Sequence, residues 1–439
     1  MNTTDGARRP VQMSRRQLLQ MLGVAAVGAG CSGSSIAAPK KDTSKPTNAG
    51  AKAGTKATAG RAMKGSNDSG SNNRVLVVLE LQGGHDGFAM LVPYADDRFR
   101  KLRDRVWIDQ KELHVLDDRY AIAKGLAPVA NRLSFVEGVG VAKPDLSHFA
   151  MLQRWWHGDP EGTAGSLTGF LGRCCDAAAK GEPVTGVSLG GGTTPALISG
   201  SATTVSLPAI DMVRELSKDE EEQRRLKKAL ESLTRSTGRT SALGTDATNQ
   251  MMGMARKGLG SSLDLSRMIG RIGDSPKGYP DSDIARSLAM TRQLISLGAG
   301  MKVFHIPWGS FDTHTNEVGT HVDHMNRLGA ALDAFANDLK SNGLSDSVLL
   351  ATTSEFGRRP EANQSGTDHG TASTMMLMGP VKKGRHGQPV NFKSLDESGN
   401  VKATTSMTDY YATLAQWIGV RPDDVLAKGA HTISTLEAS

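Results

Sequence analysis

Four short apolar runs constrain this chain most: VLVVLEL at 75–81, MKVFHIPW at 301–308, SVLLATTSEFGR at 347–358 and STMMLMG at 373–379. A strand with one wet face alternates apolar and polar residues, whereas a strand covered on both faces reads as a continuous apolar run. Runs of the second kind need helices on both sides of their sheet. Between them such helices are legible. Ile284, Leu288, Thr291 and Ile295 share one face, and Val318, His321, Met325, Leu328, Leu332, Phe335 and Leu339 follow steps of three and four along a longer element. The alternation predicts an α/β fold with an open, mostly parallel central sheet. A further segment, 209–237, contains KDEEEQRRLKKALESL and reads as a charged helix solvated over the core. There is no internal repeat.

In open α/β sheets, ligands gather at the carboxyl ends of the strands. The first run empties into LQGGHDG, which sets Asp86 among Gly83, Gly84 and Gly87. The second leads to Asp312 and His314, with His321 and His324 further on, and the third to Glu355, Arg358, Asp368 and His369. Carboxylates and imidazoles converging from several strand exits are the donor set for one or two divalent cations. Zn, Mn, Fe and Mg all suit oxygen and nitrogen donors, and no thiolate is needed. Other roles stand beside this one. His321 falls on the apolar stripe of its helix and reads as a core histidine, and His324 reads as a surface residue. Asp312 could cap the helix that follows, Asp368 and His369 could form a turn, and Glu355 could pair with Arg358. The segment KPDLSHFAMLQRWWHGDP places Ser147 and His148 ahead of a helical pattern of Phe149, Leu152, Trp155 and Trp156. A serine there is ordinarily an N-cap. The same position offers free amides and the positive end of a helix dipole to an anion. Ser147 is therefore also a candidate nucleophile, with His148 and Arg358 as candidates for holding an ester's oxygens.

The formal charge of +7 over 439 residues does not point to nucleic acid. Residues 1–73 hold eleven Lys and Arg against three Asp, a net +8, which leaves −1 for everything after Asn73. The basic segment reads as an address. Arg15 and Arg16 precede a short apolar stretch, Leu18 to Ala29, in the pattern of a twin-arginine export signal over residues 1–31. Cys31 follows small residues and is a candidate for lipidation, which would attach the protein to a membrane. Residues 32–73 are rich in Gly, Ser, Ala, Thr and Lys and read as a flexible linker. The folded body is expected over 74–439, with a helical insertion around 185–280. Three cysteines, two of them the adjacent Cys174 and Cys175, cannot build a disulfide framework.

The order LQGGHDG, LSHF, WWHGDPEG…TGFLGR, FDTH, TSEFGRRPEANQSGTDHG and MTDYYATLAQWIG, running from about Arg74 to Val420, resembles the exported bacterial proteins grouped as the domain-of-unknown-function 1501 family. That group is similar in turn to the alkaline phosphatase and sulfatase superfamily. The resemblance implies an alkaline-phosphatase-like three-layer α/β sandwich with divalent metal at the strand ends. By it, Asp86 would be the ligand from the first strand, Ser147 the nucleophile or its neighbour, and Asp312 with His314 the next ligands; Glu355 and His369 would complete the cluster. Two departures bear on a second metal. Asn316 stands where the superfamily commonly has a histidine, and Phe356 rather than histidine follows Glu355. The function implied is an exported, metal-dependent hydrolase of phosphate or sulfate esters. The competing expectation is a metal-stabilised envelope binding or assembly protein of the same fold without catalysis.

Overall fold

The computed structural model describes residues 73–163, 165–190, 194–207 and 276–435, with Glu221, Arg224 and Lys228. The export segment 1–31 with Cys31, the linker up to residue 72, and the charged helix expected at 209–237 apart from those three residues lie outside the described residues.

The described strands are β1 (Val75–Leu81), β2 (Leu91–Val92), β3 (Leu113–Val115), β4 (Ala121–Ala123), β5 (Leu133–Gly140), β6 (Gly186–Leu189), β7 (Thr204–Leu207), β8 (Val303–Trp308), β9 (Val348–Thr353), β10 (Gly357–Ala362), β11 (Thr367–Gly370), β12 (Ala372–Met378), β13 (Gly384–Gly387) and β14 (Thr405–Ser406). The α-helices lying wholly within the described residues are α1 (Gly87–Met90), α2 (Asp97–Leu102), α3 (His148–His157), α4 (Phe170–Ala178), α5 (Asp283–Ser296), α6 (Glu317–Ser341), α7 (Met407–Trp417) and α8 (Pro422–Val425). Nine strands form the central sheet in the order β13, β5, β12, β9, β1, β8, β6, β7, with β14 also on β5. The pairs β9–β1, β1–β8, β8–β6 and β6–β7 are parallel, and so are β13 and β14 with β5. β12 alone runs antiparallel, against β9 and β5. The described part of the segment expected as a helical insertion, 185–207, supplies β6 and β7 to this sheet.

All seven residues of β1 are buried, Glu80 within its otherwise apolar run included. Val75, Val77, Leu79 and Leu81 face one core, shared with Leu288 of α5 and with Leu328, Leu332 and Phe335 of α6. Leu76 and Val78 face the other, shared with Trp155 of α3, Phe170 of α4 and Tyr410 of α7. Alternate side chains of a strand point to opposite faces, so β1 lies between two helical layers. The molecule is thus an α/β three-layer sandwich with a mostly parallel sheet, the architecture the alkaline phosphatase resemblance implied. On the α3 side, Glu80 is buried, accepts from Trp156 Nε1 at 2.8 Å and Gln82 Nε2 at 2.7 Å, and pairs with His305 Nε2 at 3.0 Å. Cys174 and Cys175 are both free and buried. No helix among the described residues is long and apolar enough to cross a membrane.

The parallel strands bring their carboxyl ends to one edge. β1 exits there into Gly83–Asp86, β8 into 309–316, and β9 into Ser354–Phe356. Because β12 is antiparallel to both β9 and β5, β5 exits at the same edge, into the loop that begins α3. The β10–β11 hairpin stands beside them.

Candidate metal centre

Asp312 is the meeting point of this edge. Its Oδ1 lies 2.8 Å from Arg358 Nη2, 3.2 Å from His369 Nε2 and 3.2 Å from His314 Nε2; its Oδ2 lies 3.5 Å from His148 Nε2. His148, Asp312 and His369 offer ligand atoms within 4.8 Å of one another, a group that could hold a metal ion.

The opposite nitrogens of the three imidazoles decide what faces this carboxylate. His369 Nδ1 lies 2.9 Å from the Leu146 carbonyl, which can only accept, so the proton sits on Nδ1. His148 Nδ1 donates to Glu355 Oε1 at 2.9 Å, and His314 Nδ1 to Asp368 Oδ1 at 3.1 Å. Each ring then turns its Nε2 toward Asp312. His314 Nε2 and His369 Nε2 stand only 3.0 Å apart. Two lone pairs at that distance repel unless a cation or a proton lies between them. Imidazoles fixed through Nδ1 by a carboxylate or carbonyl, with Nε2 converging on a carboxylate, are the donor arrangement of a nitrogen-rich divalent metal site.

The electrostatics agree. Burial works against the charge of Asp312, but the hydrogen bond and the charge of Arg358 outweigh it and hold its pKa at about 2. Burial lowers His369 below the usual imidazole value, although the Leu146 carbonyl and Asp312 pull the other way. Asp312 is therefore anionic and His369 neutral near pH 7, the forms a metal needs.

Several chain devices hold these groups. Glu355 is buried and accepts from Gly83 N at 2.8 Å as well as from His148. A Cβ on Gly83, whose φ is +111°, would lie 2.5 Å from Asp312 N, so only glycine lets the β1 exit pass against the Asp312 loop. The positive-φ residues other than glycine among the described residues are Leu146 (61°), Ser310 (86°) and Asn316 (51°), and all three flank the cluster. Such backbone costs about 1–3 kcal/mol at each position and persists where the surroundings over-determine it.

The expected residues divide into three sets. Asp312, His314 and His369 come together, and His148, expected to hold substrate, joins them as a donor. Glu355 and Asp368 support imidazoles from behind, and Glu355 does not pair with Arg358. Asp86 stands apart: it is buried, its two oxygens lie 2.5 and 3.1 Å from the Arg103 guanidinium, and it caps α1 through Phe88 N. Arg103, whose charge also reaches Glu317 at 3.4 Å, carried no signal in its charged stretch of sequence. Arg358 is fully buried and donates to the carbonyls of Gly84, Thr367, Gly83 and Phe311 and to Asp312, so it positions Asp312 from inside the fold. Ser147 occupies the N-cap position of α3, but its side chain makes no capping hydrogen bond. His321 is in the core as expected. His324 is buried rather than at the surface, against Phe311 and Trp308, because the loop after β8 folds over α6.

Residues 135–434 match the family model described as "Protein of unknown function (DUF1501)". The chain belongs to the DUF1501 family. No curated protein matches it. Among solved structures it is similar to the C-terminal periplasmic domain of EcEptC from Escherichia coli in complex with Zn (11% identity, 84% of this chain and 90% of that one, TM-score 0.36). It is also similar to the lipoteichoic acid synthase LtaP from Listeria monocytogenes (8%, 83% and 76%, TM-score 0.35) and to the PsFucS1 sulfatase from Pseudoalteromonas sp. (11%, 82% and 73%, TM-score 0.34). Likeness at these scores assigns no chemistry, so the site of this DUF1501 member is argued from its own residues.

Proposed function

We propose that this protein is an exported, metal-dependent hydrolase of phosphate or sulfate esters, with a divalent ion held by His148, Asp312 and His369 and approached by His314. The observation that carries the reading is the convergence of three Nε2 atoms on an ionised carboxylate, each ring held through its Nδ1. A divalent ion bound there supplies Lewis-acid charge to an ester and to the group that attacks it. The chain's own residues do the rest. Glu355, Asp368 and the Leu146 carbonyl keep the protons of the three rings on Nδ1, and Arg358 holds Asp312 ionised and oriented. In this reading Ser147, whose side chain makes no capping hydrogen bond at the start of a ten-residue helix, is the attacking group, and the amides of that first turn receive an ester oxygen. Export by the twin-arginine route and a lipid on Cys31 belong to the same proposal, as does the absence of a nucleic-acid partner, which rests on the nearly neutral body.

A second reading has its own observation. Asp86 is sealed against Arg103 and Arg358 is spent on carbonyls, so two groups expected in the chemistry serve the fold instead. That favours an envelope binding or assembly protein that keeps metal without turnover. Elemental analysis of the full chain beside Asp312→Ala, followed by a screen of aryl phosphates and sulfates, separates the two. About one metal per chain, lost in the variant, with turnover that disappears with it, is the expected result. Metal without turnover moves the assignment to the binding protein, and no metal in either sample refutes both.

A further inference from the structure

We propose that Arg359, the neighbour of the buried Arg358, is a substrate-binding residue that grips a second anionic group on the ester, so that the substrate class is a phosphate or sulfate ester bearing another negative charge away from the reacting centre. This rests on the ester-hydrolase reading of the metal centre and deepens it.

The two arginines follow each other on β10, and successive strand residues point to opposite sides. Arg358 turns inward and spends its guanidinium on four carbonyls and Asp312. Arg359 is 34% exposed, and its guanidinium makes no hydrogen bond to a described residue. Its Nη1 is 3.9 Å from Asp368 Oδ2, beyond hydrogen-bonding distance, and its buried Nε has no partner. Its backbone is fixed nevertheless, since its carbonyl accepts from Arg103 Nη2 at 3.0 Å. Its long ion pair with Asp368 Oδ2 leaves its N–H donors without an acceptor among the described residues, and the carboxylates nearest it are held by other donors. Asp368 Oδ1 takes His314 Nδ1 at 3.1 Å and Asn363 Nδ2 at 3.3 Å. Asp396, which also feels the Arg359 charge, accepts the backbone N–H groups of Ser398 at 2.9 Å and Asn400 at 2.8 Å.

Arg359 is thus an underused cation on a fixed backbone, separated from the converging Nε2 atoms by one carboxylate and one imidazole. A guanidinium presents its N–H donors as a planar fork matching a carboxylate, phosphate or sulfate through two parallel bonds. It makes no ion pair with Asp312, beside which the reacting ester would lie. What it can reach is a second anion on the same molecule.

The test uses non-hydrolysable probes, so that binding is read without turnover. Phenylphosphonate and its 3- and 4-carboxy derivatives are titrated calorimetrically into the metal-loaded full chain and into Arg359→Gln and Arg359→Lys, with metal per chain determined on each sample. The unaltered protein should bind a carboxylated probe roughly tenfold more tightly than phenylphosphonate, the low end for charge-assisted pairs because the site is partly wet. Arg359→Gln should lose that preference while keeping its metal and its phenylphosphonate affinity, and Arg359→Lys should recover part of it. Metal present with no preference in the unaltered chain, or a preference that survives in Arg359→Gln, overturns the assignment and leaves the metal reading standing. No metal in the unaltered chain overturns the functional reading and this inference with it.

Discussion

Two neutral imidazoles sealed in the core should make this protein lose stability as pH falls below the usual imidazole value. His85 and His321 are 1% and 2% exposed, and their rings stack with centroids 5.6 Å apart. Burial pushes His85 down to about 3, helped by the His321 charge and opposed by Asp86. Burial likewise pushes His321 to about 4, opposed by Asp86 and helped by His324 and Arg103. Above the usual imidazole value of 6.5 both states of the chain are neutral at these positions, and stability is full. As pH falls below 6.5 the unfolded chain binds protons that the folded chain refuses, so the loss accumulates down to the folded values. At pH 5 this amounts to about 2 kcal/mol for each imidazole, or about 4 kcal/mol together. Urea unfolding at pH 7, 6 and 5, in chelator so that metal release does not contribute, reads this as the difference between the unaltered chain and a variant, because the raised pKa of Glu317 acts in the opposite direction in both. The His321→Leu variant, which replaces a neutral ring by an apolar side chain, should lose about 2 kcal/mol less than the unaltered chain between pH 7 and pH 5. Parallel pH curves for the two proteins would refute the argument.

Three further outcomes follow from the same contacts. Arg103→Met strands the buried Asp86 carboxylate and should cost roughly 3–5 kcal/mol in urea unfolding at pH 7. Glu355→Gln keeps the shape but weakens the hold on His148 Nδ1, and should lower Zn affinity by roughly 10- to 100-fold in a competitive chelator titration. Ser310→Gly removes the cost of an exposed serine at φ 86° and should stabilise the protein by about 1 kcal/mol, with metal per chain unchanged.

Where local pattern carries the information, sequence and structure coincide. β1 has the bounds its apolar run suggested, and α5 and α6 follow the stripes led by Ile284 and Val318. The run at 347–358 reads as one strand but divides into β9 and β10. Ser354 donates its hydroxyl to the Leu81 carbonyl at 2.7 Å, and Glu355 turns inward to Gly83 and His148, which breaks the ladder. The direction of β12 was not legible, since an apolar run reads alike in a parallel and an antiparallel strand. Phe149 was grouped with the buried face of its helix and is 85% exposed, whereas Met151 and Trp155 are the residues that enter the core. A helix of ten residues leaves too few turns for periodicity to set its phase.

The sequence by itself determined that buried strands would end in carboxylates and imidazoles at one edge, because burial pattern and strand exits are properties of consecutive residues. Only the tertiary structure decided which of those groups meet. Asp86 is sealed by Arg103, a partner 17 residues further along the chain, and His148 comes to Asp312 from across the sheet. Of two adjacent arginines, one is spent inside and one is left facing outward. A side chain's charge and donors belong to its residue type, but whether they remain free depends on neighbours that folding brings from elsewhere in the chain.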